Sequence, residues 1–143
     1  MSLRIRPGVL ALGAALAGGA CMAQERANYF NDPFEQATSG IASCPMPQGP
    51  LITKQEMHAQ THGRAERGTS CYQSGRCRLP NAYLYDPDII ARSRKAVLAE
   101  GRYGDTSVWL LGQRRWVWLQ GCVRSQAQAE GRGGLIRSPE HGV

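Results

Sequence analysis

Histidines, long apolar runs and the usual catalytic groupings are scarce in this chain. Its histidines are His58, His62 and His141. No pair of carboxylates falls within a strongly patterned segment, and no glycine-rich phosphate loop follows a strand. Cys–His nucleophilic catalysis needs a reduced thiol, which the cysteine usage described below argues against. These absences lead to the expectation of a protein without enzyme activity and without a cofactor. The apolar run Val9–Ala17 is too short to cross a membrane as a helix.

That run follows Arg4 and Arg6 and precedes small residues, the layout of a secretory signal peptide over residues 1–23, with Gln24 as the first mature residue. Cys21 after Gly18-Gly19-Ala20 offers a second route, a lipid anchor, although Gly18 stands where a lipobox usually has Leu. Removing residues 1–23 takes away two arginines and no acids. The net charge then falls from +6 to +4, or 15 basic against 11 acidic side chains. This surplus suits an anionic surface such as lipid headgroups and is too small to argue for nucleic acid. Cys44, Cys71, Cys77 and Cys122 remain, and an even count in an exported chain reads as disulfides in any of three pairings.

Residues 24–52 are rich in Pro, Gly, Asn and Ser and read as an irregular extension. A helix is expected over residues 53–67, opened by a Thr53/Glu56 capping box and stopped by Gly68. Residues 69–85 read as a cysteine-bearing loop, so the whole of 24–85 forms an N-terminal extension. At Asp86 the pattern strengthens. Asp86 suits an N-cap, Pro87 the first helical position and Asp88 the positive end of the dipole. The helix should run to about Glu100, stop at Gly101, and bury Ile90, Ser93 and Val97, flanked by Ile89 and Ala96.

Two β-prone runs within Asp105–Val123 then flank a short polar turn containing glycine, the form of a β-hairpin. Alternation puts Val108, Leu110, Val117, Leu119, Gly121 and Val123 on the helix-facing side. Trp109, Trp116, Trp118, Gln120 and Cys122 take the opposite side. Both faces are partly apolar, so something should cover the tryptophan face.

The order Asp86–Ala99, Thr106-Ser-Val-Trp-Leu110, Trp116-Val-Trp-Leu-Gln-Gly-Cys-Val123 and Ser125-Gln-Ala-Gln-Ala-Glu130 resembles the BON (bacterial osmotic-stress and nodulation) domain. Val117, Leu119, Gly121 and Val123 carry most of the likeness, with Ser125 opening a second helix, and residues 86–143 are covered. The resemblance implies an α+β fold of the form α-β-β-α(-β). It also implies a periplasmic or outer-envelope location, and binding of phospholipid or of another envelope protein without catalysis. The final strand of that pattern is missing, because the chain stops at Gly142-Val143 and Gly131, Gly133 and Gly134 weaken the second helix. A partner or the N-terminal extension could supply that strand. Alternatively, the chain is a truncated member or a shifted reading frame near Glu130.

Two candidate sites follow. Arg114, Arg115, Trp116 and Trp118 form a basic, aromatic cluster at the hairpin, suited to an anionic lipid surface met peripherally or to a protein partner. A bridge from Cys122 to Cys44, Cys71 or Cys77 would instead hold the extension against the tryptophan face and bury the rings. His58 and His62, four apart on a helix with Cys71 and Cys77 nearby, form a weaker metal alternative.

Overall fold

The computed structural model describes residues 24–129. The signal-peptide segment, Cys21, the C-terminal glycines and His141 lie outside the described residues. The hairpin is the centre of the fold. Strands β4 (Ser107–Gln113) and β5 (Trp116–Cys122) pair antiparallel in full register, from Ser107 opposite Cys122 to Gln113 opposite Trp116. The turn between them is Arg114–Arg115. The glycine expected in the turn, Gly112, lies inside β4, where an added Cβ would come within 2.7 Å of the Ile90 side chain.

The third strand comes from the segment expected to be irregular. Strand β2 (Phe34–Ser39) pairs antiparallel with the free edge of β4, giving the order β2-β4-β5. The extension therefore joins the hairpin's own sheet, which spans the expected boundary between residues 85 and 86. The register shifts between Gln36 and Thr38, placing Ala37 in the core as the extra residue of a bulge. Thr38 Oγ1 accepts the Val108 amide at 3.1 Å, which satisfies a donor next to the irregularity. A second sheet joins β1 (Arg26–Ala27) to β3 (Ile52–Thr53).

Three longer helical segments flank these strands. Helix α1 (Lys54–Ala65) opens on the expected capping box: Thr53 Oγ1 accepts the Glu56 amide and Glu56 Oε2 accepts the Thr53 amide at 2.7 Å. Gly68 adopts φ 98° between α1 and α2 (Thr69–Gln73), a short helix within the expected cysteine loop. A 3-10 turn over Ala82–Tyr85 leads into α3 (Asp86–Glu100), which ends as expected on left-handed Gly101. Ile90 of α3 is fully buried against Val108, Leu110, Leu119 and Ala37, and Val97 and Val117 pack at the margin. Ser93 and Ile89 are half-buried, whereas Ala96, expected beside the stripe, is exposed. Helix α4 (Gln126–Ala129) starts after Ser125, whose hydroxyl accepts the Gln128 amide. The protein is thus a small α+β module. Among the described residues no helix is long and apolar enough to cross a membrane.

Two disulfides are formed, Cys44–Cys122 and Cys71–Cys77. The first ties residues 44–50 to the end of β5, on the sheet face opposite α3. Ile41 is held to the same end, exchanging backbone bonds with the Ser107 hydroxyl. The Gly49 amide donates to the Gln120 side chain at 3.2 Å, and Gly49 lies against the Phe34 ring where a Cβ would not fit. On this face Trp109 and Leu111 are buried. The cover does not reach the other rings: Trp118 is 39% exposed and Trp116 65% exposed. The expected burial of all three tryptophans is therefore corrected, because the tether acts at the Cys122 end of β5 and the rings of Trp116 and Trp118 lie towards the turn.

Candidate functional site: a basic and aromatic groove at the hairpin turn

Arg114 and Arg115 both take left-handed backbone conformations, φ 57° and 67°, in a two-residue turn of the primed kind that matches strand twist. Glycine or asparagine normally fills such positions, since a Cβ is crowded there. The compensation comes from Asp86. Its carboxylate accepts the Arg114 amide at 3.0 Å and the Arg115 amide at 2.7 Å. Consecutive amides in a left-handed turn form a concavity that favours an anion, and here a buried side chain of the same chain occupies it. Asp86 was expected to cap its own helix. That reading is corrected: Asp86 is the first residue of α3, its N-terminal neighbour Tyr85 makes no side-chain cap, and Asp86 is spent on the hairpin. Burial pushes its carboxyl above the ordinary value, against the opposing pull of the Arg115 and Arg114 amides.

A second buried network stands beside the turn. Arg64 of α1 forms a two-pronged ion pair with Asp32, and Gln113 Nε2 donates to Asp32 at 2.6 Å. The Arg64 guanidinium lies between two rings, 4.0 Å from the centroid of Phe30 and 3.6 Å from that of Tyr83. Asn81 donates to the Arg64 carbonyl at 2.8 Å. These contacts fix the end of α1 against the hairpin, and nothing in the spacing of Phe30, Asp32, Arg64 and Tyr83 marks them in the sequence.

The two networks define a groove of about 500 Å³ lined by Arg67, Gly68 and Ala82 on one side and by Arg114, Arg115, Trp116 and Trp118 on the other. The four hairpin residues singled out from sequence are thus brought together, and Arg67 is added to them. Arg67 arrives because Gly68 turns the chain: the Ala82 amide donates to the Arg67 carbonyl, and a Cβ on Gly68 would lie 3.0 Å from that amide nitrogen. Among the described residues, no carboxylate forms an ion pair with the guanidinium of Arg67, Arg114 or Arg115; Asp86 meets the last two only through their backbone amides. Arg64 differs, being neutralised by Asp32. A second hollow of about 310 Å³ shares Arg67 and Arg114 and is lined by Gln60, Tyr83 and Gln113. The cationic ridge therefore has an aromatic flank and a polar flank, an arrangement able to hold an anionic group beside an apolar one.

The metal alternative receives a different arrangement. His58 and His62 lie exposed on α1, with His62 Nε2 3.5 Å from Glu66. Cys71 and Cys77 are bonded to each other, so neither sulfur is a thiolate ligand for a site with these histidines.

No family model matches the chain, and neither a curated protein nor a solved structure shows significant similarity to it.

Proposed function

We infer that this is an exported, BON-like envelope protein that binds anionic phospholipid without transforming it, through the groove at the hairpin turn. One observation carries the reading. Three guanidiniums without acidic partners among the described residues share one groove with two exposed tryptophans. Trp partitions to membrane–water boundaries and Arg is drawn to anionic headgroups, so the pairing suits the periphery of a bilayer. The order α3-β4-β5-α4 supports the BON resemblance, and the disulfides fit an oxidising compartment such as the periplasm or outer envelope. Co-sedimentation with phosphatidylglycerol vesicles tests it. The wild type should pellet, and Arg67→Ala/Arg114→Ala should remain in the supernatant with its fold intact. A wild type that stays in solution would remove the reading.

A second reading has its own support. Among the described residues β5, like β2, is an edge strand of the three-stranded sheet, and a partner strand could add to the β5 edge by backbone pairing, as in β-augmentation. That reading predicts binding that survives loss of the arginines and fails when proline replaces a residue of β5 whose amide points outward.

A further inference from the structure

The disulfide Cys71–Cys77 differs from Cys44–Cys122 in what surrounds it. Cys44–Cys122 joins positions 78 apart, and the Ile41–Ser107 bonds and the Ser107–Cys122 strand pair hold its two ends together independently. Cys71–Cys77 closes a surface loop six residues apart, and since all four cysteines are partly exposed, exposure does not distinguish the two bridges. Arg115 Nη1 lies 3.6 Å from Cys77 Sγ. Neither Cys44 nor Cys122 has such a cation beside its sulfur among the described contacts. Two further cationic contacts crowd the same corner: Arg115 and Arg78 lie 5.7 and 5.6 Å from the centroid of the Tyr85 ring.

We propose that Cys71–Cys77 is an exchangeable disulfide, attacked by an external thiolate at Cys71, with Cys77 as the leaving thiolate stabilised by Arg115. The geometry decides the direction of the step. A thiolate forms more readily beside a guanidinium, and the sulfur with the lower pKa is the better leaving group. The incoming sulfur bonds to Cys71 Sγ as the Cys71–Cys77 bond breaks, and the bonding electron pair goes to Cys77 Sγ beside Arg115. A second thiol of the reductant then displaces Cys71. The products are two cysteine thiols on this chain and a disulfide on the donor, which is either a protein dithiol or two small thiols of the glutathione class. The loop retains bonds that keep the two cysteines near each other after opening. The Arg76 and Cys77 amides both donate to the Cys71 carbonyl, at 3.0 and 3.1 Å, so the step is reversible by an oxidant acting on a preformed pair.

The test uses the mature chain with both disulfides formed. It is exposed to graded glutathione, quenched with an alkylating agent and mapped by peptide mass. The Cys71–Cys77 bond should open at glutathione concentrations that leave Cys44–Cys122 intact, and the trapped mixed disulfide should sit on Cys71. Arg115→Asn removes the guanidinium while keeping a residue that tolerates the left-handed turn. It should slow opening by about three- to tenfold, whereas Arg92→Ala, which removes the same charge elsewhere, should not. Glutathione found on Cys77, equal opening of the two bonds, or an Arg115→Asn variant that opens at the wild-type rate would each overturn the proposal.

Discussion

The Asp86 carboxylate at the start of α3 holds the amide of Arg115, 29 residues later, at 2.7 Å, and that of Arg114 at 3.0 Å. This relationship places two arginines, with left-handed backbones, at the tip of a hairpin whose turn would otherwise favour Asn-Gly. Asp86→Ala should therefore cost about 3 kcal/mol, the loss of charge-assisted bonds to two amides. In an Arg114→Asn/Arg115→Gly background the turn no longer depends on Asp86, and the same substitution should cost markedly less. Urea denaturation of the four proteins gives the coupling.

Arg64 is the other fixed point. Arg64→Met leaves the Asp32 carboxylate buried without its cation, and the expected loss is about 3–5 kcal/mol. Adding Asp32→Asn should recover part of it, because the uncompensated charge goes with the carboxylate. Thermal unfolding of the single and double variants checks the order.

The two disulfides should differ in worth. The entropy of closing a long loop makes Cys44→Ser/Cys122→Ser cost about 4 kcal/mol, whereas Cys71→Ser/Cys77→Ser, across a short loop, should cost about 2. Denaturant midpoints of the two double variants provide the comparison, and the reverse ranking would contradict the described anchoring of residues 44–50.

Two carboxylates should titrate on opposite sides of their ordinary values. The Thr53 amide and hydroxyl hold Glu56 below 4.5, so its contribution to stability is present above that value and is lost as pH falls through the folded pKa. Burial raises Asp86 above 3.8, so the folded state holds its proton more tightly than the unfolded chain; that pH-dependent increment of stability is fully present below 3.8 and is lost as pH rises through the folded value, while the bonds to the Arg114 and Arg115 amides remain. Carboxyl chemical shifts followed from pH 2 to 7 (roughly the carboxylate range) should show Glu56 titrating below 4.5 and Asp86 above 3.8.

The legible parts of the chain were those whose signals are local. Thr53 and Glu56 stand at capping-box spacing and form the box; Gly101 ends α3; alternation assigns Val108 and Leu110 to one face and Trp109 to the other. Strand β2 was not legible because Phe34–Ser39 is an edge strand with Ala37 as its one buried residue, so no hydrophobic period survives. The groove was half legible. Its hairpin side follows from Arg114 to Trp118, but Arg67 is delivered by the Gly68 corner and the Arg64 network, contacts between positions far apart in sequence. Asp86 misled for a related reason: an Asp before Pro87 has the form of an N-cap, and only the returning hairpin supplies the better donors.

The central claim, that the groove meets an anionic lipid surface through Trp116 and Trp118, is tested most directly by tryptophan emission during titration with vesicles. Phosphatidylglycerol vesicles should move the emission to shorter wavelength, phosphatidylcholine vesicles should not, and molar salt should reverse the shift by screening the arginines. An emission unchanged by phosphatidylglycerol, or shifted equally by both lipids, would contradict the account.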